Sequence, residues 1–226
     1  MSVSTPERRI ALFSARGLAG VGAAYLLTGT IWLLSGGLQS ADPFRPADPF
    51  LAILELLILL SALLLVALMA ALHAVAPPDR KTHALAAFAF TLLFAALTSS
   101  VHFVMLTSGR QAHLGGTPAP LLSWPSPAMA VDFLAWDVCL GLALLFAAPI
   151  FAGRGLETGI RRTMFLSGTL CLAGVLGPAS GDLRLQWLAI VGYAVGFPVA
   201  CARVAIRFAP EKSSTRGADE SALRDP

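Results

Sequence analysis

Charge is scarce in this sequence. Only 13% of its 226 residues are Asp, Glu, Lys or Arg, against 56% hydrophobic, and a mean hydropathy of +0.74 is more apolar surface than a water-soluble core of this size could hide. Cysteine is nearly missing too. Cys139, Cys171 and Cys201 are all there are, and none lies in a loop where an oxidising compartment could pair it, so they read as small buried hydrophobes. No Walker loop, dinucleotide fingerprint, H-E-x-x-H or G-x-S-x-G occurs, which removes support for nucleotide-driven and familiar protease chemistry. The net charge of +3 does not point to nucleic acid, because the basic residues form no patch interleaved with aromatics.

What is present is a series of apolar runs of about 16 to 25 residues, long enough to cross roughly 30 Å of hydrocarbon. They define an all-α fold, a polytopic integral membrane helix bundle of about six transmembrane helices. It forms one domain over 1–209, with spans near 17–34, 50–75, 84–106, 129–151, 163–177 and 185–208. Asp48-Pro49 reads as an N-cap followed by proline at the first helical position of the second span, and Gly177-Pro178 as the stop of the short fifth. The polar stretch 210–226 is expected to be a disordered tail.

Orientation follows from the cations. With alternating spans, one side holds thirteen Lys and Arg and the other only Arg45, Arg110 and Arg184, so both termini are expected in the cytoplasm and the bilayer is the cytoplasmic (inner) membrane. The first run is too long for a signal-peptide core and has no A-x-A site after it, so it counts as a span. Arg8-Arg9 leads into no soluble domain that a twin-arginine route would carry.

Ionisable residues inside spans are expensive and therefore informative. Glu55, His102, Asp132 and Asp137 all fall in the outer half. At 100° per residue, Thr91, Thr98 and His102 share one stripe of the third span with Ser99 at its edge, and Glu55 shares a face with His73. Asp132 and Asp137 stand about 140° apart, so they cannot form a same-face pair, and the deeper Asp137 is favoured as the functional carboxylate. Tyr25, Thr28 and Trp32 on the first span, with Gln186 and Tyr193 on the sixth, complete a cavity-lining set. The competing reading is that these groups only bond across helices while Trp32, Trp124 and Trp187 form an interfacial belt.

Glu55, Thr98, Ser99, His102, Asp132 and Asp137 are thus the ligand-binding candidates. No cofactor is expected. Zinc on His102, Glu55 and Asp137 has a meagre ligand set, and a haem between His73 and His83 would sit at the water interface. Gly192-x-x-x-Gly196, Ala19-x-x-x-Ala23 and Ala173-x-x-x-Gly177 predict close helix approach, first within the chain, with Gly192 and Gly196 as the face for a homo-oligomer. Pro198 is expected to kink the sixth span.

The stretches 98–111 (TSSVHFVMLTSGRQ) and 132–151 (DFLAWDVCLGLALLFAAPIF) resemble segments of small bacterial polytopic membrane proteins, a likeness that runs over most spans and implies no activity. A looser resemblance to intramembrane hydrolases of the alkaline ceramidase and adiponectin receptor type would cast Ser99, His102 and Asp137 in zinc-dependent roles. Those enzymes carry paired histidines on a late span, whereas this chain has no histidine after His113. The expectation is a non-enzymatic bundle that binds a proton, a cation or a small polar or amphiphilic ligand, with transport as its use. A metal-dependent intramembrane hydrolase and an accessory or assembly subunit are the alternatives.

Overall fold

A computed structural model describes residues 5–37, 47–115 and 124–210. The tail beyond Pro210 and the stretches 38–46 and 116–123 fall outside the described residues. Six helices are long and apolar enough to cross a membrane: α1 (Thr5–Leu34), α2 (Phe50–Val75), α3 (Pro78–Ala112), α4 (Pro127–Ile150), α5 (Leu156–Ser180) and α6 (Leu183–Phe208). Among the described residues there is no strand.

Each helix packs on its neighbours in sequence, and α6 returns to α1, so the six close into a ring. Short connections between antiparallel helices favour this order, since each helix buries its apolar stripe on the next at hand. The inner stripes carry Ala11, Ala15 and Leu18 from α1, Leu65, Met69 and Leu72 from α2, and Leu140, Leu144 and Ala147 from α4, all below 2% exposed. The outer surface is equally apolar: Phe13 is 71% exposed, Leu63 69%, Leu166 63% and Ile206 63%. A greasy perimeter of that kind is stable only where lipid replaces water.

The start of α1 and the end of α6 lie together, with Arg8 bonded to Phe208, on the side called here the terminal end. There α2, α4 and α6 finish, each with carbonyls that have no partner in their own helix. Cations from other helices supply the donors. Lys81 Nζ donates to the carbonyls of His73 and Ala74 at 2.5 and 3.0 Å, Arg80 to Pro149, Arg161 Nη1 to Phe151 at 3.1 Å, and Arg8 Nε to Phe208 at 2.9 Å. Each positive group also meets the negative end of a helix dipole.

Several sequence expectations change. The helix of α5 does not stop at Gly177-Pro178: after a break at Val175 it resumes over Leu176–Ser180 and ends on Gly181, whose φ of 79° is left-handed. Pro178 lies in the first turn of the resumed segment, where a missing N–H costs nothing. The fifth span is therefore full length. Asp48 is not a cap: α2 starts after Pro49 with no side-chain cap bond, and the Asp48 carboxylate instead accepts from Arg110 Nε at 2.7 Å. Helix α3 runs well past Leu106, through Met105–Gly109 and Arg110–Leu114, into what reads in sequence as loop.

Among the described residues three stretches are π-helical: Met105–Gly109 in α3, Leu134–Cys139 in α4 and Val191–Gly196 in α6. The last precedes Pro198, which has no N–H for the Ala194 carbonyl, so the helix widens there. Gly192 and Gly196 face α5, where an added Cβ would come within 2.8 Å of the Ser167 carbonyl and 3.0 Å of Ser167 Cβ. That close approach is used inside the bundle, and Ser167 Oγ donates to the Gly192 carbonyl at 2.6 Å.

Candidate functional site

The half of the bundle away from the termini holds the in-span ionisable groups. His102 projects from the inner stripe of α3, whose other members Thr91 and Thr98 are fully buried. Helix α2 brings Glu55 to one side of the ring and α4 brings Asp132 to the other. Glu55 Oε2 lies 2.5 Å from His102 Nδ1, and Asp132 Oδ1 lies 3.1 Å from His102 Nε2. The side chains of Glu55 and His102 are 5% and 7% exposed, that of Asp132 16%.

The two contacts are not alike. Glu55 makes an aligned, short hydrogen bond, whereas the Asp132 contact is close enough for an ion pair but off the hydrogen-bond direction, leaving His102 Nε2 and Asp132 Oδ1 buried without a directional partner. Thr98 Oγ1, one turn from His102, is likewise unpartnered. Unsatisfied polar atoms in an apolar interior cost about 1–3 kcal/mol each, and three of them gather around this imidazole.

His102 and Asp132, but not Thr98, line a half-open cavity of about 100 Å³. Its polar lining is His102, Asp132, Ser61, Tyr25 and Tyr193, and Trp136 and Phe197 add aromatic faces. Trp136, one turn after Asp132, organises the wall: its ring meets Tyr193 at 4.9 Å, Phe94 edge-on at 4.9 Å and His102 edge-on at 6.4 Å between centroids. Gly22 permits α1 to close on α6 below, since a Cβ there would be 2.4 Å from Pro198 Cγ. The chain has only two tyrosines, and both line this cavity.

Of the sequence candidates, Glu55, His102 and Asp132 come together. Asp137 does not join them. It is fully buried, and both its oxygens accept from Gln186 Nε2, at 2.9 and 3.1 Å. The carboxylate that reaches His102 is thus Asp132, although depth alone favours Asp137. The two carboxylates meet different neighbours: Asp132 comes level with His102 of α3, whereas Asp137, five residues further along α4, meets Gln186 of α6. Ser99 is half-buried, beside the site rather than in it. Ser61, which donates to its own helix at the Ile58 carbonyl at 2.7 Å, carries no ionisable group and gave the sequence reading no signal.

For zinc the arrangement fits poorly. A ligating imidazole presents one free nitrogen to the metal, and here each nitrogen faces a carboxylate. Among the described residues no three His, Cys, Asp or Glu side chains form a metal-ligand group. His73 and His83 bracket the hairpin at the terminal end, half-buried and exposed respectively. Lys81 donates to the carbonyl of His73, and the His83 ring lies 6.4 Å from that of Phe146.

Fold and site together define a multi-pass α-helical membrane protein with a buried acid–imidazole–acid array on a central cavity. Comparison with protein families, curated proteins and solved structures finds no match to the chain.

Proposed function

We propose that the protein is a binding bundle of the cytoplasmic membrane, with both termini in the cytoplasm. Its cavity takes a small polar or amphiphilic ligand or a cation and couples this to a proton on Glu55, His102 and Asp132, in the service of transport. One observation carries the reading: a buried imidazole with a carboxylate oxygen at each nitrogen, 2.5 and 3.1 Å away, on the wall of a cavity. The cluster of cations at the terminal end supports the orientation.

Charge decides how such an array behaves. One imidazolium between two carboxylates sums to a single negative charge, and one further proton brings the sum to zero. An isolated charge in hydrocarbon costs about 2.5–3.5 kcal/mol on insertion scales. A cation in the cavity therefore favours the ionised form, and an empty cavity favours the neutral one. Proton and cation compete for the same carboxylates, and that competition is reciprocal by linkage. The groups that bear on the balance are Tyr25 from α1, Glu55 from α2, Asp132 and the more distant Asp137 from α4, and Tyr193 from α6.

Infrared titration of the purified chain in lipid nanodiscs tests this. A carboxyl stretch band that grows as pH falls, and is lost or displaced in Glu55→Gln and in Asp132→Asn, is the expected result. If no carboxyl changes protonation between about pH 4 and 9 beyond the signal of exposed acids, the array is structural and the proposal fails.

A further inference from the structure

We propose that the ligand of the cavity is an organic ammonium group, a small alkylated amine held by the Asp132 carboxylate and by the faces of Tyr25, Trp136 and Tyr193. This rests on the reading of the cavity as a ligand site and names its chemical class.

Four observations narrow the class. First, sign: among the described residues no Lys or Arg lines the cavity, while Asp132 does and Glu55 stands directly behind His102. An anionic group would find no counter-charge except the imidazole, which two carboxylates already share. Second, ligand count: a hard inorganic cation asks for about six oxygen ligands. Here Leu18, Val21, Leu57, Ile58 and Ala194 supply much of the wall, and Ser61 spends its hydrogen on its own helix. A bare metal ion would be left with apolar neighbours.

Third, aromatic placement: both tyrosines of the chain and one of its four tryptophans line the same cavity as Asp132. Aromatic faces attract a cation through their quadrupole, best when the site is dry, and alkyl groups on nitrogen meet apolar walls without losing hydrogen bonds. Fourth, size: at about 100 Å³ and open on one side, the cavity admits one small head group and not a large ring system. His102, whose Nε2 lies 3.1 Å from Asp132 Oδ1, keeps Asp132 aimed at the site. In this assignment Asp132, Tyr25, Trp136 and Tyr193 touch the ligand, and Glu55 and His102 position and charge Asp132.

Tetramethylammonium is the probe, titrated calorimetrically into the full chain in nanodiscs, with sodium and uncharged tert-butanol as comparators. Saturable binding of tetramethylammonium is expected, at least tenfold tighter than either comparator. Asp132→Asn and Tyr25→Leu should each weaken it about tenfold or more, and Tyr25→Phe, which keeps the aromatic face, should leave it within about threefold. Circular dichroism confirms folding of each variant, and Tyr193→Leu repeats the test from α6 should Tyr25→Leu not fold. Equal binding of tert-butanol overturns the inference and makes the cavity merely apolar. Sodium binding as tight as tetramethylammonium and indifferent to Tyr25→Leu overturns the ligand class but leaves the site. No binding of any probe, with the carboxyl titration intact, overturns the inference and leaves a proton site alone; loss of that titration as well sinks the proposed function with it.

Discussion

The two ends of the bundle handle charge in opposite ways. At the terminal end, Arg8, Arg80, Lys81 and Arg161 each reach a backbone carbonyl at the close of another element, so every such charge has a donor's work to do. In the other half Glu55, His102 and Asp132 answer only one another, incompletely, on the wall of a cavity. Helix polarity explains the first arrangement, because α2, α4 and α6 all present unpaired carbonyls there. It does not explain the second, since Glu55 and Asp132 lie beyond the first turn, where the dipole has faded. The contrast separates charge that finishes a fold from charge whose hydrogen bonding the fold leaves incomplete.

His102→Ala should do the largest damage. It leaves two carboxylates unpaired in the interior and is expected to cost about 3–5 kcal/mol in detergent unfolding. Adding Glu55→Gln and Asp132→Asn to it should restore much of that loss, because the penalty comes from stranded charge rather than lost packing. An equal or greater loss in the triple variant would mean that packing, not charge, is at stake. Next comes Asp137→Ala, which strands the Gln186 amide and should cost about 1–3 kcal/mol by the same assay; Asp137→Asn, still able to pair with the amide, should cost less.

Arg8→Ala, at the terminal end, removes bonds to the Phe208 and Ala209 carbonyls and is expected to cost about 0.5–1.5 kcal/mol. Its effect should add to that of His102→Ala within about 0.5 kcal/mol, since the sites share no partner. Smallest is Arg184→Gln. The exposed Arg184 guanidinium, 2.9 Å from the Asp182 carboxylate, holds that carboxyl below its ordinary pKa. Nuclear magnetic resonance should see Asp182 titrate at higher pH in the variant, while its melting temperature stays unchanged. A clear drop in melting temperature would blur the distinction between exposed and buried pairs.

Much of this was legible in the residues. The six spans follow from apolar run length, and the fifth needed only the recognition that Pro178 can sit in a first turn. Glu55 and His102 stand out because ionisable groups are rare in hydrocarbon, and the stripe of Thr91, Thr98 and His102 does face inward, all three being buried. Two things were hidden. The choice between Asp132 and Asp137 depends on which neighbouring helix each meets, α3 for Asp132 and α6 for Asp137, and the π-turn over Leu134–Cys139, which has no signal in composition, alters phases counted across it at 100° per residue. The pairing of Asp137 with Gln186 depends on where α6 comes to lie, and α6 meets both α5 and α1 only because the ring closes. Periodicity within one helix carries no information about that order.

The central claim is that both nitrogens of one imidazole answer to carboxylates on different helices. Nitrogen-15 resonance of histidine-labelled protein tests it, with His102→Gln identifying the His102 signals. Glu55→Gln is expected to move the Nδ1 resonance most and Asp132→Asn the Nε2 resonance most, each leaving the other signal comparatively still. If Asp132→Asn leaves Nε2 unmoved, or Asp137→Asn moves it more, Asp132 is not the second partner and the array at the cavity wall is wrong.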